Sequence, residues 1–507
     1  MSAANGSDQG LDRGVLAVAG VVVLGAVMSI LDVTVVNVAI NTLAAEFDTT
    51  LATIQWVATG YTLALATVIP LSGWGADRFG TKRLYMGSIF LFMVGSALAG
   101  LAWSAESIII FRVLQGLGGG MIMPVGMTIL TRTAGPARVG RVMSIVGVPM
   151  LLGPILGPIL GGFLVDQVSW RWIFFINVPI GVVALILAAR ILPADEPRPT
   201  ERFDALGLAL LSPGLALVIY GLAESSSQGG FGDARVLVPV AIGFALLALF
   251  VRHGLRFPHP VIDLHLFRNR VFSAATATLT VFALAVFGGM LLLPLYLQAV
   301  RGESALTSGL LLAPQGIGAM ITMPIAGQLT DRIGIAKIVL PGIALIIASF
   351  VALTQIGAET SYWVLGAELF VMGLGMGLAM MPVFSGAMQT LRRAAVARAS
   401  TSLNILQQVG ASIGTAVMAV LLASALSSRL PQGGGEGLGA TEVPDEARRQ
   451  IAPLMADAFG EVFWWATGFL VVAFLIATLL PKEKPEPVFD PDDPEAGEQE
   501  PVPMMIG

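Results

Sequence analysis

Three ionisable side chains lie inside long apolar stretches of this chain, where a charge is costly and therefore usually functional. Asp32 is the only charged residue between Gly14 and Ala45, while Arg112 and Glu368 stand in two other apolar stretches. A carboxylate that alternates between water and apolar surroundings can take up and release a proton, because burial disfavours its charged form. We therefore interpret Asp32 and Glu368 as candidate proton carriers. Arg112 keeps its proton in proteins and would tune a carboxylate.

The same residues are candidates for binding a substrate. An ionised carboxylate at Asp32 or Glu368 would attract a lipophilic cation in apolar surroundings. Met372 and Met376 follow Glu368 at a spacing of four, and methionine suits adaptable apolar surfaces. The alternatives are structural: a hydrogen-bonding acid between helices for Asp32, a cap on helix carbonyls for Arg112, and ordinary packing for the methionines.

Composition shows which environment these residues occupy. Of 507 residues, 55% are hydrophobic and 12% are charged, about half the charged fraction of a soluble domain. The chain has no cysteine, which excludes disulfides and thiolate metal sites. The net charge of −5 comes without basic clusters, so nucleic acid is not an expected partner. His253, His259 and His265 fall in one polar loop and are interpreted as solvated.

Fourteen stretches are long enough to cross a bilayer core, which takes about 20 apolar residues in a helix. They are Val15–Ile40, Leu51–Ser72, Leu84–Trp103, Ile108–Leu130, Val139–Val165, Trp172–Leu192, Leu206–Leu222, Val236–Val251, Val271–Leu293, Leu306–Leu329, Ile338–Ile356, Tyr362–Thr390, Ala399–Leu426 and Phe459–Leu480. If the N-terminus is cytoplasmic, most Lys and Arg residues fall inside, as the positive-inside rule requires. The outer loops then hold Arg171, Arg235, Arg301, Arg429, Arg448 and Arg449. Both termini are therefore predicted to be cytoplasmic.

The predicted fold is an all-α polytopic membrane protein with two six-helix halves and an inserted helix pair. A tail rich in proline and acids is expected to be disordered. The predicted segments are a cytoplasmic N-terminus (1–14), the N-terminal half (15–192), the inserted pair with its linkers (193–270), the C-terminal half (271–480, with an outer loop at 427–458) and the tail (481–507).

An internal repeat supports the two halves. The pattern G-x-x-x-D-R-x-G-x-x-[KR] occurs as GWGADRFGTKR after span two and as GQLTDRIGIAK after span ten. Parallel repeats are a known transporter architecture. An aspartate near a helix N-terminus is favoured by the helix dipole and can bridge to arginines, so these loops are candidate latches between the halves. A simple topology anchor is the alternative. The latch residues are Gly73, Asp77, Arg78, Gly80, Lys82, Arg83, Asp331 and Arg332.

Span five carries glycine at a spacing of four, at Gly153, Gly157 and Gly161. Such a smooth stripe lets another helix approach closely, and Pro158 favours bending because it removes a helix hydrogen bond. Taken together with the family resemblance described below, we expect a bendable contact across the two halves that seals the cavity, with generic small-residue packing as the alternative.

Together these motifs resemble the major facilitator superfamily, and the span count resembles its drug:proton antiporter branch with two additional helices. Residues 31–39 (LDVTVVNVA) resemble the first-helix signature of that branch. Residues 112–116 (RVLQG) resemble its R-x-x-Q-G motif, and residues 153–162 resemble its antiporter motif. The start of span six, from Trp170 to Trp172 and from Asn177 to Pro179, also matches. Residues 403–410 (LNILQQVG) resemble a segment that often reads N-x-x-R-Q-x-G, with Gln407 where arginine is common.

The resemblance implies a major facilitator fold in which helices 1 and 4 face a central cavity, so that Asp32 and Arg112 meet directly or through water. It also makes Asn404 and Gln408 candidate substrate ligands. The function expected is proton-coupled export of hydrophobic, cationic compounds across the cytoplasmic membrane by alternating access. We expect a monomer surrounded by membrane lipids, powered by the proton gradient without a cofactor.

Three other functions remain open at this stage. A dedicated exporter of a lipid, antibiotic or metabolite would share the same fold. A membrane-embedded enzyme would need a nucleophile–base pair or a metal cluster, and no H-E-x-x-H motif is present. A channel would conduct without coupling, which the antiporter motif argues against.

Overall fold

The structure is a computed structural model, and its regular elements are helices. It describes residues 12–49, 51–134, 142, 147, 153, 156–157, 159–165, 167–194, 204–227, 232–257, 260–389, 391, 395–429 and 445–483. Within these ranges the chain forms no strand, which confirms the predicted all-helical fold.

The helices follow the predicted order of halves. The N-terminal half contains α1 Arg13–Glu46, α2 Leu51–Ile54, α3 Trp56–Val68, α4 Leu71–Phe79, α5 Thr81–Gly100, α6 Ala105–Ala134, α7 Trp172–Phe175 and α8 Asn177–Ile191. The inserted pair is α9 Ala205–Ser227 and α10 Ala234–Gly254. The C-terminal half contains α11 Arg270–Leu295, α12 Ala305–Leu311, α13 Ala313–Ile333, α14 Ala336–Leu353, α15 Tyr362–Gln389, α16 Val396–Arg429 and α17 Asp445–Ala477.

Twelve spans in the described part of the chain are long and apolar enough to cross a membrane, or thirteen with the bent pair α3 and α4. These two helices meet at an angle of 55° beside Pro70, a residue that favours such a break. The thirteen match thirteen of the predicted spans. The remaining one, Val139–Val165, lies largely outside the described residues. The count of fourteen and the cytoplasmic termini therefore stay predictions.

Two helices extend into the predicted outer loop, residues 427–458. Helix α16 continues to Arg429, and α17 begins at Asp445 and runs for 33 residues. At about 1.5 Å per residue, α17 is roughly 50 Å long, which exceeds a hydrocarbon core of about 30 Å. An ion pair of 2.6 Å between Arg429 and Glu461 joins the two helices.

The two repeated loops share one backbone geometry. Gly80 ends α4 with φ 83° and ψ 147°, and Gly334 ends α13 with φ 97° and ψ 158°. Residues that carry a side chain rarely adopt a positive φ, so glycine is required at both positions. The second loop also contacts the segment that follows α17, since the Ala336 amide donates to the Pro481 carbonyl at 3.2 Å. The repeat therefore specifies the same tight turn in each half.

Gly80→Ala is expected to lower the free energy of unfolding by about 1 kcal/mol or more, because alanine is strained at positive φ. Apparent melting temperature in detergent measures this. Gly87→Ala is the matched control: a Cβ at Gly87, inside α5, meets no atom within 4 Å. Its melting temperature should stay the same or rise, and an equal loss for both variants would contradict the interpretation of the turn.

Candidate proton-coupling and substrate site

The structure brings Asp32 and Arg112 together in a buried ion pair. Helix α1 supplies Asp32 and α6 supplies Arg112, and Nη1 of the arginine lies 2.5 Å from Oδ2 of the aspartate. The side chains are 0% and 1% exposed, respectively. Removing two charges from water costs several kcal/mol per ion, so such a pair persists only with good geometry and further hydrogen bonds.

Two amides complete the shell of the Asp32 carboxylate. Its Oδ1 accepts hydrogen bonds from Nε2 of Gln115 at 2.8 Å and from Nδ2 of Asn177 at 3.2 Å. The Gln115 carbonyl oxygen also accepts from Nη1 of Arg112 at 2.7 Å. One carboxylate therefore joins α1, α6 and α8, and three donors stabilise its ionised form.

The Arg112 charge is offset by further contacts. Its Nε donates to the Val57 carbonyl at 3.1 Å, and its Cζ lies 4.1 Å from the centroid of the Tyr61 ring and 5.7 Å from that of Phe174. A guanidinium over an aromatic face is attracted by the ring quadrupole. These contacts bring α3 and α7 into the same site.

The sequence motifs contained Gln115 and Asn177, but the sequence analysis gave neither residue a role. Gln115 lies three residues after Arg112 and so shares its helix face. Asn177 begins α8 directly after the break at Ile176, and its Nδ2 also donates to Ser96 Oγ at 3.1 Å. Ser96 and Tyr61 were missed. Polar side chains at membrane depth were the available signal for all four.

Glu368 lies in the C-terminal half and has a different environment. It is half-buried on α15, and its Oε2 is buried with no hydrogen-bond partner among the described residues. Buried polar atoms normally have a hydrogen-bond partner, so we expect this oxygen to carry a proton or to bind a water or a substrate group. Asp32 is caged by donors, whereas Glu368 is available to a new partner.

The methionines after Glu368 are packed. Met372 is 1% exposed and Met376 is 2% exposed, and Met376 Sδ accepts from Nε2 of Gln315 at 3.1 Å. In this state they form part of the hydrophobic core. A methionine-lined cleft lies elsewhere, between the halves, where Met123 and Met127 of α6 face Met380, Met381 and Phe384 of α15.

Asn404 and Gln408 face two different spaces. Asn404 lines the methionine-lined cleft, and its Nδ2 donates to the Ser400 carbonyl at 2.8 Å. Gln408 instead lines an apolar niche with Leu215 and Ile219 of the inserted helix α9. The structure therefore does not bring the two predicted ligands to one site.

The first repeated loop joins both halves. Asp77 Oδ1 lies 3.3 Å from Nη2 of Arg132 in α6, and its Oδ2 lies 3.9 Å from Nε of Arg398 in α16. Close by, the hydroxyl oxygens of Ser72 and Thr401 are 3.0 Å apart. These contacts between α4 and α16 close the molecule at the end that carries Asp77.

Other predicted latch residues have local roles. Lys82 donates from Nζ to the Ala189 and Leu192 carbonyls, each at 2.8 Å, and so caps the end of α8. The remaining residues of this group differ in exposure: Gly73 and Gly80 are buried, whereas Arg78, Arg83 and Arg332 are exposed. The Asp331 side chain lies outside the described part of the structure.

The predicted contact of the glycine stripe across the two halves is wrong for this structure. A Cβ at Gly153 or Gly157 would overlap Ile30 or Thr34 of α1, and a Cβ at Gly161 would lie 3.1 Å from the Val35 carbonyl oxygen. The stripe therefore accommodates α1 of the same half, on both sides of Asp32 along that helix. Pro158 lies outside the described residues.

The prediction that the histidines are solvated is wrong for His253. Its Nε2 lies 2.7 Å from Oδ1 of Asp204, a residue that is 3% exposed. His253 lies in the last turn of α10 and Asp204 precedes α9, so packing of the inserted pair brings them together. His265 is exposed beside Asp263, and His259 lies outside the described residues. Among the described residues no group of three His, Asp or Glu could hold a metal ion.

Comparison with known proteins identifies the family to which the chain belongs. The family model described as Major Facilitator Superfamily matches residues 22–415, and the chain belongs to that superfamily. It is 49% identical over 493 residues to a multidrug resistance protein B homolog of Mycobacterium tuberculosis, covering 94% of this chain and 91% of that protein. It is 30% identical to the multidrug export protein EmrB of Escherichia coli, covering 89% of this chain and 93% of that protein.

A further relative and a solved structure agree with this family assignment. The tetracenomycin C resistance and export protein of Streptomyces glaucescens is 33% identical, covering 81% of this chain and 76% of that protein. The fold matches the human organic anion transporter MFSD10 with a TM-score of 0.60 at 15% identity, covering 92% of this chain and 100% of that chain. The protein is thus a multi-pass membrane transporter of small molecules and not an enzyme, and its relatives support drug efflux.

Asp32→Asn should lower the apparent melting temperature strongly, because Arg112 is left buried without its counter-charge. Removing one partner of a buried ion pair typically costs about 3–5 kcal/mol. The double variant Asp32→Asn/Arg112→Gln should recover much of this loss, whereas efflux should stay abolished. Melting curves of the two single variants and the double variant measure the coupling. Additive losses would show that the pair is not a unit.

Asp77→Asn should slow transport while leaving substrate affinity nearly unchanged, because it weakens contacts that exist in one conformational state. A ligand shifts such an equilibrium only through differential affinity for the two states. Spin-label distances between the halves, measured beside a binding isotherm in detergent, test this. Lost binding with unchanged state populations would contradict the latch.

Proposed function

We propose that the protein is a proton-coupled antiporter that exports hydrophobic, cationic compounds across the cytoplasmic membrane as a monomer. The observation that carries the proposal is the buried carboxylate of Asp32, held by Arg112, Gln115 and Asn177. Drug efflux is supported by the multidrug transporters among its relatives. Proton coupling is known for a distant protein of the same fold, the proton:xylose symporter XylE, at 13% identity.

Proton exchange follows from the two protonation states of Asp32, which change its bonds to Arg112, Gln115 and Asn177. When Asp32 is ionised, it satisfies the Arg112 charge and the pair can remain buried. A proton that binds to Asp32 removes the negative charge and weakens the bond to Arg112, whose charge then favours water or another anionic group. Protonation thereby loosens α1 from α6 and α8 and favours rocking of the halves. Release of the proton restores the pair.

Substrate charge enters through Glu368. Its unpartnered oxygen offers an ionised carboxylate in apolar surroundings, where a cation is attracted strongly because the local dielectric is low. The adaptable surface of the methionine-lined cleft would accept apolar groups of varied shape. The Glu368 carboxylate would favour cations over neutral compounds, and the cleft would accept their apolar groups.

Proteoliposome flux tests the proposal. An outward-directed proton gradient, with the vesicle lumen acidic, should drive uptake of tetraphenylphosphonium against its concentration gradient in vesicles that mimic export, and Asp32→Asn should abolish the driven component. Glu46→Gln is the matched control, since Glu46 lies on the same helix in an exposed pair with Arg171. Flux that does not depend on the pH gradient would contradict antiport and favour a channel.

A dedicated antibiotic exporter is the second candidate, favoured by the relative named for tetracenomycin C resistance and export. A substrate screen in an efflux-deficient host separates the two. Protection against many unrelated cationic compounds supports multidrug export, and protection against one antibiotic class supports the dedicated exporter.

Glu368→Gln should weaken efflux of tetraphenylphosphonium by about tenfold while sparing a neutral hydrophobic substrate, because only the cation loses a low-dielectric attraction. Paired efflux assays normalised to folded protein measure this. Glu359→Gln, at an exposed position before the same helix, is the matched control. Equal loss for both substrates would show that Glu368 carries protons rather than selecting cations.

A further inference from the structure

The inserted helices form one compact unit. Glycines allow their backbones to meet: a Cβ at Gly243 of α10 would lie 2.8 Å from the Gly214 carbonyl oxygen of α9, and a Cβ at Gly221 would lie 3.0 Å from the Val236 carbonyl oxygen. At one end Asp204 and His253 are joined at 2.7 Å. The pair therefore moves as a single body.

Directional contacts hold this body to the N-terminal half. Ser212 Oγ of α9 donates to the Thr67 carbonyl of α3 at 2.6 Å. The rings of Trp56 and Tyr220 stack with their centroids 5.8 Å apart and their planes within 28°. Hydrogen bonds and ring stacks have narrow geometric limits, so an interface that contains both resists sliding.

The contacts described between α9 and the C-terminal half are apolar. Val218 and Leu222 of α9 pack against Ala416 of α16, with Ile413 beside them. One turn of the interface further along, Leu215 shares an apolar cluster with Ile405 and Val409 of α16 and with Ile69 of the N-terminal half. Apolar packing is non-directional, so such a surface tolerates the small shifts of a shear motion.

We infer that the inserted pair travels with the N-terminal half and slides along α16 when the halves rock. The pair lies across the seam between α3 and α16, where α9 contacts both. It therefore keeps that lateral seam covered against lipid in each state, while α16 moves behind it. The inference goes beyond the proposed function and relies on it only for a transport readout.

Cross-linking tests the inference, and the chain suits it because it has no native cysteine. Ala66→Cys/Ile219→Cys joins α9 to α3, and Val218→Cys/Ala416→Cys joins α9 to α16. Both pairs are closed with the same short reducible thiol cross-linker, and the closed fraction is measured by mass spectrometry after proteolysis. Each single-cysteine variant treated alike is the control.

The first cross-link should leave tetraphenylphosphonium efflux within about twofold of the untreated protein, because those helices do not move apart. The second should lower efflux by about tenfold or more, as expected when a conformational step limits turnover, and reduction should restore it. The reverse pattern would show that the pair belongs to the C-terminal half. Loss in both, or in neither, would also overturn the inference.

A substrate-independent measurement separates this inference from the proposed function. Spin labels at the exposed positions Leu101 of the N-terminal half, Leu237 of α10 and Trp363 of the C-terminal half report three distances. The distribution from Leu237 to Leu101 should be narrow, and that from Leu237 to Trp363 should be as broad as that from Leu101 to Trp363. A broad distribution between Leu237 and Leu101 would overturn the inference even if no drug were transported.

Discussion

A carboxylate and a guanidinium withdrawn together from water impose the main constraint on this protein. Neither Asp32 nor Arg112 can be buried alone at an acceptable free energy, so each needs the other and a full set of hydrogen-bond partners. Those partners come from α1, α3, α6 and α8, whose packing is thereby tied to one charge. In the proposed mechanism, a single proton on Asp32 would change the packing of these helices.

The C-terminal half is organised differently, although the repeated loops show that the two halves have related turns. Its intramembrane acid, Glu368, has an unpartnered oxygen instead of a cage. In the proposed mechanism, the N-terminal half would hold the proton site and the C-terminal half would contribute to substrate recognition. Contacts such as Asp77 with Arg398 connect the halves at the end of the molecule that carries the first repeated loop.

Sequence reasoning succeeded where one element determines the outcome. Apolar length predicted the helices, and the repeated motif predicted equivalent loops in the two halves. A rare charge in each of two spans, with the family resemblance, predicted the meeting of Asp32 and Arg112. Sequence reasoning failed where the outcome depends on which helix packs against a given surface. The spacing of Gly153 and Gly157 indicates a smooth surface but not that α1 covers it. Likewise Asn404 and Gln408 lie four residues apart yet face different spaces. The reason is that α16 packs against the N-terminal half, the inserted pair and the rest of the C-terminal half.

The central claim is that Asp32 exchanges its proton for substrate, and proton release tests it most directly. Tetraphenylphosphonium is added to purified protein in weakly buffered detergent solution, and a pH-sensitive dye records the protons released. The account predicts release that saturates with substrate and is absent in Asp32→Asn, measured at concentrations where that variant still binds the cation. Undiminished release from Asp32→Asn would contradict it.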